Sequence, residues 1–167
     1  MSKRGFKHRP DFFEKGYLGD AILGASDGIV TTFTIIAGVV GASLGSNVIL
    51  ILGFAKLIAD AFSMGAANYL GSKSEHGIYD FRTKLELEHI ENNPVGEKKE
   101  VKKIFAKKGF KGKTLDGIIK TVSARKKLWA DIILKEDLGL INFETQPGKK
   151  AWVTFWAFIF AGLIPLL

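Results

Sequence analysis

The sequence predicts an all-α, polytopic membrane protein with a helical cytoplasmic insert between its second and third spans. Three observations predict it. Residues 21–72 carry only three charges, Asp27, Lys56 and Asp60. Residues 73–150 carry 18 Lys or Arg and 12 Asp or Glu. Residues 151–167 carry none. An apolar run of about 20 residues crosses a bilayer core as a helix. The net charge of +7 therefore belongs to the flanks of apolar segments.

Residues 1–20, "MSKRGFKHRPDFFEKGYLGD", form a basic N-terminal segment. They lack the short apolar core and small-residue cleavage site of a removable signal peptide. Phe12, Phe13 and Tyr17 suit the headgroup level, where aromatic rings collect. The first span begins at Ala21, and "GSN" at residues 45–47 is turn chemistry. A second span follows, so residues 21–72 read as a transmembrane hairpin. A third apolar run begins at Ala151 and reaches the chain end after 17 residues. It reads as a truncated span.

The N-terminal segment holds five Lys or Arg, the loop between spans one and two holds none, and the segment after span two holds many. Basic residues favour the cytoplasmic side. The N-terminus and the insert at residues 73–150 are thus expected in the cytoplasm. Nucleic acid is not expected as a partner, because the lysines are not interleaved with a base-reading motif. The chain has no cysteine, which removes disulfides and thiolate metal sites. No Walker loop, nucleophile elbow or dinucleotide fingerprint is present, so an enzyme is not expected.

The insert reads as four helical stretches. Ile78, Phe81 and Leu85 share a face at helical spacing, and Pro94 ends that stretch. "GEKKEVKKIFAKKGF" is stopped at Gly109, and the final stretch at Gly139. Leu115, Ile118, Ile119, Val122, Trp129, Ile132 and Ile133 form the expected small core.

Three groups of residues offer chemistry. Asp27 stands inside span one, where a carboxylate costs about 2.5–3.5 kcal/mol and normally faces a bundle interior or a wet path. It suits an ion or proton site, or an interhelical hydrogen bond. Gly28 beside it admits a second backbone. Asp60 and Met64, four apart on span two, share a face. A hard oxygen with a thioether suits a borderline transition metal, although Lys56, four before Asp60, is placed to neutralise it. In the insert, Glu86 and His89, and Glu97 and Glu100, are pairs at helical spacing, and Glu136 and Asp137 end the last helix. Glu-x-x-His recurs in di-iron bundles, but this chain has it once. These residues are either metal ligands or a solvated acidic face.

"DAILGASDGIVTTFTIIAGVVGASL" and "LIADAFSMGAANYLGSKSE" closely resemble the first two spans of the vacuolar iron transporter family. The charged helical insert, ending in "EDLGL", and the onset of a third span follow in the family's order. The resemblance implies a homodimeric exporter of ferrous iron, or of manganese or zinc, out of the cytosol in exchange for protons. It implies a path between protomers with Asp27 and Met64 as ligands. It implies that Glu86, Glu97 and Glu100 collect metal in the cytoplasm, and that no prosthetic group is needed. The membrane would be a bacterial inner membrane or a vacuole-like one.

The chain departs from the family pattern at four positions. His89 and Asp137 stand where glutamates are usual, Ile133 where a methionine is common, and Lys56 where a polar or acidic residue is common. The family has five spans, so the chain reads as its N-terminal three-span portion. Two other readings stand beside transport. One is a membrane-anchored metal-binding or sensing protein. The other is a module whose basic helices bind anionic lipid.

Overall fold

A computed structural model of the chain describes residues 16–140 and 145–167. The described residues are helical, with no strand among them. Phe12, Phe13 and the rest of the N-terminal segment before Gly16 lie outside them, as do residues 141–144 of the expected linker. The helices are α1 (Tyr17–Gly41), α2 (Ser46–Asn92), α3 (Pro94–Lys107), α4 (Gly112–Ser123), α5 (Lys126–Glu136) and α6 (Pro147–Leu163). A short 3₁₀ turn, Ile164–Leu166, follows α6. Three stretches are long and apolar enough to cross a membrane: Tyr17–Gly41, part of Ser46–Asn92, and Pro147–Leu166. The chain is an all-α integral membrane protein.

The chain divides into two compact units, Met1–Lys73 with Glu144–Leu167, and Ser74–Phe143. In the first, Leu57, Ala61 and Phe158 are buried, with Met64, Phe155 and Ile159 packed against them. Helix α1 crosses α6 through glycine. A Cβ at Gly24 would come 2.5 Å from the Thr154 carbonyl oxygen, and one at Gly28 would collide with the Phe158 carbonyl. Gly162 of α6 returns the contact, its Cβ position 3.0 Å from the Gly28 carbonyl oxygen. With lipid tails as apolar as leucine, span association depends on such close packing. The second backbone admitted by Gly28 is thus that of the third span.

In the second unit, Ile90, Val101, Val122, Trp129, Ala130 and Ile133 are buried together, with Leu87, Ile104, Phe105, Ile118 and Ile132 around them. The expected stripe on α2 differs. Ile78 and Phe81 are 52% and 61% exposed, and α2 contributes Leu87 and Ile90 instead. Asn93 caps α3 by accepting from the Gly96 N–H at 3.0 Å, and Pro94 takes the first turn, where its missing N–H costs nothing. Gly109 (φ +95°) and Gly139 (φ +64°) turn the chain after α3 and α5 in the left-handed region that glycine tolerates.

Candidate functional site

Four acidic residues of the insert and one histidine meet around one cavity. Glu86 and His89 come from α2, three residues apart. Glu97 and Glu100 come from α3 with the same spacing, which turns both inward. Asp137 follows α5. Together with Arg82 and Ile133 they line a space of about 220 Å³. At about 30 Å³ per water, that holds a cation with part of its hydration shell. Glu136 points elsewhere. Its Oε2 lies 2.7 Å from Lys108 Nζ.

Glu86 is the unusual member. It is only 7% exposed, and its Oε1 is buried without a hydrogen-bond partner. An orphaned buried oxygen costs about 1–3 kcal/mol, and more when charged. Burial pushes its carboxyl up to about 7, with the Glu97 charge and a Glu97 hydrogen bond adding to the rise and His89 opposing it. Glu100 is raised for the same reasons, by burial first and then by Glu97 and Asp137. Crowded carboxylates hold protons because like charges disfavour ionisation. A divalent cation would relieve that repulsion. No three His, Asp or Glu groups among the described residues are already gathered at ligating separation, so coordination requires side-chain rotation into the cavity.

The membrane residues lie apart from this cavity in sequence and unit. Asp27 is exposed on α1, one position from the buried Gly28 that faces α6. Lys56 Nζ sits 2.6 Å from both Asp60 oxygens, so in this arrangement Asp60 carries its own counter-ion. Met64 is partly buried against the Leu57–Ala61–Phe158 cluster.

One polar cluster was not foreseen from the sequence. Asn68 Nδ2 donates to Asp20 Oδ1 (2.9 Å) and to Thr154 Oγ1 (2.6 Å). The Thr154 hydroxyl donates to the Lys150 carbonyl at 3.0 Å, and Lys150 Nζ lies 3.8 Å from Asp20. The Asp20 side chain is 12% exposed, and its Oδ2 is buried without a partner. This cluster ties α1, α2 and α6 together. Its members lie far apart in sequence, and no local spacing signals them.

Residues 18–167 match the model of the VIT family. Among curated relatives, the vacuolar iron transporter of Toxoplasma gondii is 37% identical over 153 residues, covering 90% of this chain and 51% of that protein. Vacuolar iron transporter 1 of Tulipa gesneriana is 34% identical over 148 residues, covering 88% and 60%. Vacuolar iron transporter 1 of Arabidopsis thaliana is 33% identical over 149 residues, covering 89% and 60%. The chain thus spans between half and two thirds of the length of these relatives.

Proposed function

The chain belongs to the VIT family, a family of transporters rather than enzymes, and on that premise we propose that it forms the N-terminal part of a proton-coupled exporter of ferrous iron. The insert faces the cytosol and collects the ion. Manganese and zinc are alternative cargo. The ion then passes to Asp27 and Met64, and protons moving the other way recharge the carboxylates. Two copies of the chain enclose the path, in a vacuole-like membrane or, in a prokaryote, the inner membrane.

The observation that carries this reading is the cavity of Glu86, His89, Glu97, Glu100 and Asp137, in which one Glu86 oxygen is buried without a hydrogen-bond partner. Such a group needs a proton or a cation. A mixed set of carboxylates and one imidazole suits a borderline divalent metal better than magnesium or calcium. Asp27 supports the membrane half of the path, since a carboxylate within a span serves an ion or proton route. The test is ferrous uptake, under an imposed pH gradient, into proteoliposomes that hold a full-length version of the exporter. Wild-type uptake is expected to exceed that of Asp27→Asn by more than about tenfold, the loss expected for about 1.4 kcal/mol of binding or barrier. Equal rates would overturn the mechanism.

A second reading is metal binding without transport. The Lys56–Asp60 pair favours it, because the ammonium occupies the carboxylate at 2.6 Å. It predicts saturable ferrous binding by the chain with no flux in the same vesicles.

A further inference from the structure

Helix α3 presents its two glutamates and three of its lysines to different concavities. Glu97 and Glu100 turn to the acidic cavity. Lys98, Lys99 and Lys102 turn to a separate groove of about 430 Å³, where Lys120 of α4 joins them. Val95 and Ile119 give this groove an apolar floor. Asp116 is the one acid among its lining residues, 3.5 Å from Lys102. Both side chains of that pair are more than half exposed, so the pair is weak and exchangeable. Four ammonium groups against one carboxylate leave three uncompensated positive charges in one concavity.

We propose that this groove binds the phosphate-bearing headgroup of an anionic membrane lipid. Lysine suits phosphate as a mobile point charge with three donors. The unit is tethered at both ends to membrane spans, through α2 and α6, so headgroups are present at high effective concentration. Val95, 66% exposed, offers apolar contact for the glycerol and upper acyl carbons. No aromatic residue lines the groove, so it lacks the stacking platform of a single-strand nucleic-acid site. Each net lysine charge near an anionic leaflet strengthens binding about fivefold, and three give roughly a hundredfold.

The test places the full chain in nanodiscs of phosphatidylcholine, alone or mixed with phosphatidylglycerol. Amine acetylation is then mapped by mass spectrometry. Lys98, Lys99, Lys102 and Lys120 are expected to react several-fold more slowly in the anionic discs, relative to the exposed Lys84 and Lys127. High salt is expected to remove the difference, because it screens charges within a few ångströms. In detergent, changing the four lysines to Gln removes four charges and is expected to weaken short-chain phosphatidylglycerol binding by more than about a hundredfold. Equal slowing of the groove and reference lysines would overturn the proposal. So would protection by inorganic phosphate in pure phosphatidylcholine discs, which would make a soluble phosphate compound the ligand. The labelling comparison uses the unmodified protein, so misfolding of the Gln variant leaves it decisive.

Discussion

Changing pH across the Glu86 titration tests the cavity directly. Its carboxyl is pushed up to about 7, and a metal binds only the ionised form. At about pH 6 roughly one cavity in eleven has Glu86 ionised, and at about pH 8 roughly ten in eleven. Ferrous affinity should therefore rise about tenfold between those values from this residue alone. Glu100, raised in the same direction, adds to the slope. The stability of the metal-free protein moves the opposite way. A carboxyl whose folded value lies above its unfolded value binds its proton more tightly when folded. Stability is thus greatest below the ordinary carboxylate range, near 4.3, and falls as pH rises toward about 7. Anaerobic equilibrium dialysis of the full chain in detergent reads the affinity. Glu86→Gln should flatten the dependence. An affinity unchanged between the two pH values, or a slope that Glu86→Gln leaves undiminished, would refute the assignment of Glu86 as a proton-competing ligand.

Three further outcomes follow from packing and pairing. Gly28→Leu should lower the thermal midpoint in detergent by the equivalent of about 1–3 kcal/mol or more, since even a Cβ meets the Phe158 carbonyl. Gly38→Ala, with no atom within 4 Å of its Cβ, should leave the midpoint unchanged, and equal effects would contradict the glycine crossing. Lys56→Gln frees Asp60 and should raise ferrous flux or binding, whereas no change would remove Asp60 from the path. Trp129→Ala, at a site 3% exposed, should cost about 3–5 kcal/mol. It should appear as lost hydrogen-exchange protection across residues 87–133, and retained protection would mean that Trp129 is not central to that core.

The spans were legible because an apolar run of about 20 residues without a polar face is long enough to cross a bilayer, although a buried hairpin of a soluble protein would show the same run. The continuity of α2 was not. The change from apolar to charged sequence near Ser72 looks like a boundary, yet helical hydrogen bonding does not depend on polarity. Gly71 and Gly77 each cost only about 1 kcal/mol relative to alanine. The i, i+3 spacing of Glu86 with His89 and of Glu97 with Glu100 was enough to put each pair on one face. That the two faces meet at one cavity is a tertiary fact. Glu136 and Asp137 are adjacent and so about 100° apart on a helix, which is why one lines the cavity and the other pairs with Lys108. Arg82, four residues before Glu86, shares that face by the same kind of spacing and lines the same cavity.

The division of α3 into an acidic and a basic face has an energetic corollary. A helix is about 10 Å across, and unit charges at that distance interact by about 0.4 kcal/mol in water and more in protein. The lysine face therefore opposes any cation arriving at Glu97 and Glu100. An anion seated among Lys98, Lys99 and Lys102 would weaken that opposition and tighten the cavity's hold on a cation. Linkage makes the effect mutual: a filled cavity strengthens the anion's binding by the same factor. Two ligands of opposite sign would then report on each other through one turn of helix, with no movement of the backbone.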